Sequence, residues 1–331
     1  VDTMVVGQIA GVEALAALGA VDFLLWVVTG ISTGLTQGFS IQLSQYYGAK
    51  DFENLRKSLA HSYRLTAFIA AGVLILSQSF ASLVLTGLHT PSNIIGMSLL
   101  YLRIIFCGIP ATAAYNMFAS ALRAMGNSKT PLTAMIIASV LNVSLDILFV
   151  AGFGWGVAGA AIATVIAQSF SAVYCFLILR RIDIVHLTRA DFMPASGMNA
   201  RLMKLGIPVV FQNIIIGVGG LVVQYVINGY GFLFVAGFTA TNKLYGLLEM
   251  AAISYGYAIV TYVGQNLGAG KIDRIRKGVR SSMLLSLLTS LIISAAMFLF
   301  GKNILSLFIS GEPQQTQQVL AIAFKYLSIM A

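Results

Sequence analysis

The chain consists of long apolar runs separated by short polar segments. An α-helix needs about 20 largely apolar residues to cross a bilayer. Apolar runs of about this length or longer predict membrane-spanning helices at 14–46, 57–86, 92–122, 130–151, 156–180, 204–228, 233–266, 278–309 and 316–331. The residues before Ala14 predict the end of a further helix. Apolar and polar residues do not alternate with a period of two in these runs. The pattern therefore predicts an all-α polytopic membrane protein, with about nine to ten helices in this chain.

The polar segments between the runs alternate in charge. One set is rich in Lys and Arg and lies at 48–57, 123–130, 180–204 and 268–280. The other set is nearly uncharged and lies at 88–93, 152–156, 228–231 and 311–315. With Arg64, the basic set holds 16 of the 20 Lys and Arg residues. Because cytoplasmic loops carry the excess of Lys and Arg, we expect a multi-pass protein of the cell membrane whose basic loops are cytoplasmic.

Composition excludes most soluble classes of protein. The 331 residues are 58% hydrophobic and only 9% charged, whereas ordinary soluble domains carry about 25% charged residues. A soluble enzyme, a nucleic-acid-binding module and a disordered chain all fit poorly. The net charge of +9 lies mainly in the basic loops, so it is a signal of orientation, and we expect no nucleic-acid partner. The two cysteines lie in apolar runs without metal-ligand spacing.

An internal repeat predicts two lobes. The segment 45–57 aligns without a gap with 265–277, 220 residues later, and Gln, Gly, Ala, Arg and Lys match in place. Both copies lie in basic loops, so the repeat is parallel, with an axis along the membrane normal. We therefore predict an N-terminal lobe at 1–180, a cytoplasmic linker at 181–203 and a C-terminal lobe at 204–331. Two pseudo-symmetric lobes of six helices each are expected in the full protein, with most of the first helix and the last helices outside this chain.

One predicted helix carries a polar face. Met135, Ser139, Asn142 and Asp146 follow one another at steps of four, three and four residues, which places them on one stripe of a helix. The next apolar run offers Thr164 and Gln168, again four residues apart. A charge within a membrane span is costly and usually functional. Carboxylate, amide and hydroxyl oxygens suit Na⁺, and a carboxylate removed from water takes up a proton more readily.

Several short motifs, which occur in a fixed order along the chain, resemble those of a known protein family. The sequence resembles the multidrug and toxic compound extrusion (MATE) transporters over nearly its whole length. The matching stretches include Val1-Asp-Thr-Met-Val-Val-Gly7, Leu122-Arg-Ala-Met-Gly-Asn-Ser-Lys-Thr-Pro131, Lys204-Leu-Gly-Ile-Pro208 and Val263-Gly-Gln-Asn-Leu-Gly-Ala-Gly-Lys271. The resemblance implies a V-shaped pair of six-helix lobes, a central cleft, and efflux of amphipathic, often cationic compounds driven by inward Na⁺ or H⁺.

The resemblance also implies a cation site in the first lobe. Asp2, Asn142, Asp146 and Thr164 match the cation site of one branch of the family, and Tyr101 matches a tyrosine in that branch's hydrogen-bond network. These five residues are the predicted site of Na⁺ or proton coupling. Na⁺, where it is the coupling ion, is expected at the first four. Met135, Ser139 and Gln168 are predicted to line the substrate cleft.

Two further charges lie inside predicted spans. At the repeat offset, Asp22 is equivalent to Asn242, the neighbour of Lys243. We predict that Asp22 and Lys243 form an ion pair between the lobes that closes an outer gate; two independent charges facing the cavity are the alternative. The histidines at positions 61, 89 and 186 have no metal partner in the sequence and are expected to be isolated surface residues.

Two other functions stay open at this point. A lipid-linked oligosaccharide flippase of the related superfamily shares the helix plan, but it needs more basic residues along its cavity than Lys243 and Arg103 supply. A membrane-embedded transferase needs acidic metal-binding pairs or a nucleophile with its base, and the sequence contains no such motif. We therefore expect a cation-coupled antiporter that is not an enzyme, acts as a monomer by alternating access, and uses no cofactor besides its coupling ion. The sequence does not choose between Na⁺ and H⁺ or name the substrate.

Overall fold

The fold of the described chain is entirely helical. A computed structural model describes residues 12–87, 92–228, 232–306 and 313–330, together with the single residues 6, 9 and 90. Its α-helices are α1 (Val12–Gly19), α2 (Asp22–Gly48), α3 (Phe52–Gly87), α4 (Ile95–Cys107), α5 (Ile109–Ala124), α6 (Lys129–Asp146), α7 (Gly156–Arg180), α8 (Met198–Asn228), α9 (Phe232–Gly268), α10 (Ile272–Ser306) and α11 (Pro313–Met330). A π-helical turn, Ile147–Gly152, continues α6, and two short 3₁₀ turns lie between α7 and α8.

Most of the runs predicted to span a membrane form helices that are long and apolar enough to do so; the runs predicted at 233–266 and 316–331 are not among them within the described residues. Six of them pass on length and composition among the described residues, in the ranges Leu24–Gly48, Phe52–Gly87, Lys129–Gly152, Gly156–Arg180, Met198–Gly220 and Ile272–Gly301. Helices α4 and α5 pass together as one span that bends by 45°.

The bend between α4 and α5 divides the run predicted at 92–122. Gly108 stands between the two helices because α7 approaches closely there: a Cβ on Gly108 would lie 2.7 Å from Cγ2 of Val165. Pro110 follows in the first turn of α5, where its missing N–H costs no helical hydrogen bond. The run predicted at 14–46 is likewise interrupted, by a turn at Ala20 and Val21 that separates α1 from α2.

The internal repeat is visible in the helix boundaries. Helix α2 ends at Gly48 and α3 begins at Phe52, while α9 ends at Gly268 and α10 begins at Ile272, each 220 residues later. The turn after Gly48 and the turn after Gly268 contain the same backbone hydrogen bond. The amide of Ala49 donates to the Gln45 carbonyl at 2.9 Å, and that of Ala269 donates to the Gln265 carbonyl at 3.0 Å. The sequence repeat is therefore also a repeat of structure.

The chain separates into two compact units, residues 1–218 and 219–331. The division falls inside α8, so the first part of α8 belongs to the first unit. This boundary differs from the lobe boundaries predicted at 180 and 204. The predicted boundaries are drawn from the sequence repeat and not from the compactness of the units, and they stay a prediction.

A row of glycines on α2 explains why the first part of α8 packs there. A Cβ on Gly38 would clash with the backbone of Gly206, and one on Gly34 would lie 2.9 Å from the Cα of Val210. One to two turns further along, Nδ2 of Asn213 donates to the Gly30 carbonyl at 3.0 Å. Small residues at i, i+4 and i+8 let two helix backbones approach within the membrane.

The segment 182–199, here called the strap, packs on α3 rather than hanging as a free linker. Asp191 is buried, and its carboxylate accepts bonds from the amide and hydroxyl of Thr188 at 2.7 and 2.8 Å. Arg56 on α3 approaches the same carboxylate, with 3.8 Å from Nε to Oδ1. Arg64, further along α3, donates from Nη1 to the Phe192 carbonyl at 3.0 Å.

His61 lies at the centre of this docking, and the expectation of a surface histidine is wrong at this position. The side chain is only 2% exposed. Its Nδ1 lies 2.7 Å from Oδ1 of Asn199, and its Nε2 lies 3.1 Å from the Met193 carbonyl oxygen. His186 is exposed, as expected, whereas His89 lies outside the described residues.

Candidate ion-coupling site

The candidate site lies between α6 and α7, which pack as an antiparallel pair. Nδ2 of Asn142 donates to Oγ1 of Thr164 at 3.3 Å. Two turns towards the cytoplasmic end, the Ser171 hydroxyl donates to the Ala134 carbonyl at 3.5 Å. These two bonds set the register of the pair: one turn beyond Asn142, Asp146 stands at the level of Ala160 on α7.

Asp146 is completely buried, with 0% exposure. It is the only charged residue between Lys129 and Arg180. An ionised carboxylate is not taken out of water without a compensating partner, because its desolvation costs several kcal/mol. Asp146 has at least one polar or electrostatic partner among its surroundings. A carboxylate buried within an apolar helix pair is therefore the candidate for ion coupling, and this role stays a prediction.

A π-helical turn begins directly after Asp146. The Phe153 amide donates to the Leu148 carbonyl at 2.9 Å, five residues back, which is the π-helical pattern. Single π-helical turns inside α-helices occur frequently at functional sites. The pattern of apolar residues in the sequence does not predict this turn, because a single π-helical turn changes the direction of only a few side chains.

Aromatic residues within and directly after this turn mark one end of the α6–α7 pair. Phe149 stacks on Trp155 with 5.1 Å between ring centroids, and Phe153 packs on the same indole at 5.3 Å. Aromatic residues gather at the membrane–water interfaces, and this cluster lies at the opposite end of the helix pair from the basic loops. Asp146 therefore lies nearer to the end of the helix pair that carries this aromatic cluster than to the end that carries the basic loops.

Tyr101 lies on α4, which packs on α7. Its side chain is buried in a cluster with Val150, Ala160 and Ala161. The structure places Asn142 and Thr164 one turn from Asp146, and it places Tyr101 in the same buried cluster as Ala160, which stands opposite Asp146. That these residues couple an ion stays a prediction.

The residues predicted to line the substrate cleft follow the stripe towards the cytoplasmic end. Met135 and Ser139 are exposed, and the Ser139 hydroxyl donates to the Met135 carbonyl at 2.8 Å. Gln168 lies one turn from Thr164 on α7, and its Oε1 is buried and accepts no hydrogen bond within the described residues. The stripe thus changes from exposed at Met135 to fully buried at Asp146.

Three predicted residues are not placed in this site. Asp2 lies outside the described residues. Asp22 is exposed in the first turn of α2, and the side chain of Lys243 lies outside the described part of the chain, so the predicted gate stays a prediction. Among the residues that the structure describes, no group of three or more His, Cys, Asp or Glu side chains is arranged to hold a metal ion.

A comparison with known protein families assigns the chain to one of them. The family model MatE matches residues 1–148 and 208–331. The chain belongs to the MatE family. It is therefore a multi-pass membrane transporter and not an enzyme, and its all-helical fold agrees with the family resemblance seen in the motifs.

Relatives and solved structures agree with MatE membership. The chain is 31% identical to the probable multidrug resistance protein YpnP of Bacillus subtilis, over 98% of this chain and 74% of the relative. It is 28% identical to the probable multidrug resistance protein YoeA of the same organism, over 99% and 72% of the two chains. A MOP-superfamily transporter from Pyrococcus furiosus superposes with a TM-score of 0.90 over 99% of this chain and 72% of that one, at 21% identity, which shows a shared fold.

Proposed function

We propose that this MatE protein exports amphipathic, often cationic compounds in exchange for Na⁺ or H⁺, and that the coupling ion binds at the level of Asp146. The observation that carries the proposal is the complete burial of Asp146 one helical turn from the hydrogen-bonded pair of Asn142 and Thr164. The relatives named as multidrug resistance proteins support the choice of substrate class.

The oxygen atoms at this level suit either ion. A carboxylate, an amide carbonyl and a hydroxyl are the hard donors that Na⁺ prefers, while the Asp146 carboxylate alone can accept a proton. The amide of Asn142 donates to Thr164, which leaves its carbonyl oxygen available to a cation. Tyr101 contributes a hydroxyl from α4, and Asp2, in the matching family motif, is the expected further carboxylate.

Ion binding here changes the local charge of an apolar region. Neutralising Asp146 removes the cost of a buried charge, and this changes the relative stability of any two conformations that differ in how far the carboxylate is buried. An ion can shift a conformational equilibrium only by its difference in affinity for the two states. Alternating access follows if the ion-bound site favours the outward-releasing state and the ion-free site favours the loading state.

The exposed part of the stripe is the proposed contact with substrate. Met135 offers an adaptable thioether surface for substrates of different shape, and Ser139 and Gln168 offer polar contacts between Met135 and Asp146. A substrate bound there and an ion bound at Asp146 would occupy neighbouring levels of one cleft, so that each affects the affinity for the other.

Proteoliposomes with independently imposed gradients test the proposal. Purified protein is reconstituted, and efflux of ethidium, an amphipathic cation, is followed by fluorescence with an inward gradient of Na⁺ alone, of protons alone, or of neither. The proposal predicts that one of the two gradients drives efflux against the concentration gradient. Equal rates under all three conditions would exclude ion coupling.

A further inference from the structure

A groove on the membrane-facing side of the first unit lies apart from the ion site. Its floor is α5 and its main wall is α3, and α7 contributes the single side chain of Phe176 as the opposite wall. The groove has a volume of about 390 Å³, within the range of small-molecule sites. The floor and one wall are built largely from alanine, at positions 67, 70, 71, 113 and 114. These small side chains create the depression between the helices.

The helices around the groove expose apolar side chains. Phe68, which follows the lining residue Ala67, is 80% exposed, and Val173, three residues before the lining residue Phe176, is 56% exposed. The sequence of α3 contains no charged residue from Leu65 to Gly87, and that of α7 contains none before Arg180. An apolar groove that faces this environment is suited to a hydrocarbon chain.

An aromatic cluster closes the cytoplasmic end of the groove. Tyr63 meets Phe118 edge-on with 5.4 Å between ring centroids, and Phe118 lies 5.3 Å from Phe176. All three rings line the groove. A chain lying in the groove therefore ends at these rings, and the group attached to it emerges beside them.

Two arginines flank that end. Arg64 follows Tyr63 on α3, and Arg180 lies four residues after Phe176 and so on the same face of α7. Both arginines are exposed. Arg64 uses one N–H for the Phe192 carbonyl, out of the five that a guanidinium carries. Each wall of the apolar groove thus ends in a cation at the cytoplasmic boundary.

The strap lies at this same boundary. Phe192, whose carbonyl accepts from Arg64, and the following Met193 are 37% and 67% exposed. Exposed apolar side chains next to an arginine at the end of a membrane span suit the headgroup region of a bilayer. The position of the strap therefore places Arg64 at headgroup depth.

We propose that this groove binds one anionic phospholipid of the cytoplasmic leaflet, with an acyl chain between α3 and α7 and the phosphate near Arg64 and Arg180. Basic pockets between membrane helices on the cytoplasmic side recognise anionic headgroups by charge, and Arg suits phosphate through paired N–H donors. The lipid lies outside the path of substrate and ion, so this inference does not rest on the proposed efflux.

Lipid titration followed by native mass spectrometry tests the charge requirement. The purified full chain is titrated with palmitoyl-oleoyl phosphatidylglycerol and, separately, with the zwitterionic phosphatidylcholine of the same chains. The wild type is expected to prefer the anionic lipid about tenfold or more. The double variant Arg64→Gln with Arg180→Gln should bind it ten- to thirtyfold more weakly. The control is Arg189→Gln with Arg201→Gln, two exposed arginines of the same side, and should bind as wild type does.

Filling the groove tests the acyl chain. Ala67→Trp places an indole in the mouth and should abolish the preference, whereas Leu83→Trp, at an exposed position on another face of the same helix, should not. Ala71→Leu fills the same wall with less bulk if the tryptophan variant does not fold. Equal affinity of the wild type for both lipids would overturn the proposal, as would unchanged lipid binding after the arginine substitutions or after the groove-filling substitutions. If the arginine substitutions weaken binding but the groove-filling substitutions do not, the lipid is attracted to the surface charge only, and the proposal is also overturned.

Discussion

Asn142 on α6 donates a hydrogen bond of 3.3 Å to the hydroxyl of Thr164 on α7. This bond joins two residues that are 22 positions apart at the level next to the buried Asp146. Because the amide nitrogen is the donor, this bond does not use the carbonyl oxygen of Asn142, and it keeps the Thr164 hydroxyl oxygen beside the amide.

Two substitutions of Thr164 distinguish the role of its side-chain volume from the role of its hydroxyl group. Thr164→Val keeps the volume but removes the acceptor, and it leaves the Asn142 amide without this partner. Because the hydroxyl oxygen of Thr164 is a proposed ligand of the coupling ion, the half-saturating ion concentration should rise about tenfold in a transport assay, which corresponds to about 1.4 kcal/mol of binding free energy. Thr164→Ser retains the hydroxyl and should stay within about twofold of wild type. Equal behaviour of the valine and serine variants would remove Thr164 from the site.

The turn between α2 and α3 contains a backbone conformation that glycine prefers. Lys50 has a φ of 58°, and its repeat counterpart Gly270 has a φ of 68°. A left-handed conformation costs a residue with a Cβ about 1–2 kcal/mol, which glycine avoids at some cost in entropy. Lys50→Gly is therefore expected to stabilise the protein by about 0.5–1 kcal/mol.

Thermal unfolding in detergent measures this difference. The melting temperature of Lys50→Gly should rise by about 1–3 °C, and that of Gly270→Ala should fall. A lower melting temperature for Lys50→Gly would show that the lysine side chain contributes more than its backbone conformation costs.

The contact between α2 and α8 should tolerate no added side chain. Gly38→Ala would force the helices apart at Gly206 and should destabilise the protein by about 1–3 kcal/mol. Gly72→Ala makes the same change within α3, where a Cβ meets nothing within 4 Å, and it should be neutral or stabilising by up to about 1 kcal/mol. The two melting temperatures are compared directly; if they move together, the close contact does not determine stability.

His61 is expected to hold the strap on α3. His61→Ala removes the contacts to Met193 and Asn199, and each hydrogen bond contributes about 0.5–1.5 kcal/mol. Amide hydrogen exchange over residues 188–199 should then become about tenfold faster. His186→Ala, at an exposed position in the strap itself, is the matched control and should leave the exchange of 188–199 unchanged. Unchanged exchange in His61→Ala would mean that the arginine contacts suffice.

The helix plan could be predicted from the sequence because membrane spans and basic loops leave strong periodic and compositional signals. The stripe from Met135 to Asp146 was predictable for the same reason: helical spacing places its members on one face. Its pairing with Thr164 required the register of α6 against α7, and a single helix pattern carries no information about that register.

Other features depend on contacts between distant segments. The burial of His61 results from docking of the strap more than 130 residues later, and a lone histidine near a helix end has no sequence signal for this. The break at Gly108 similarly depends on Val165 in α7. The π-helical turn after Asp146 and the division of α8 between two units are also products of packing.

The central claim is that Asp146 couples ion movement to substrate movement. Asp146→Asn and Asp183→Asn make the same change at a buried and at a fully exposed carboxylate. In proteoliposomes, each variant is measured for ethidium exchange without an ion gradient and for ethidium transport driven by the gradient that powers the wild type. We predict that Asp146→Asn retains exchange but loses gradient-driven transport, while Asp183→Asn retains both. Gradient-driven transport by Asp146→Asn at the wild-type rate would contradict the account.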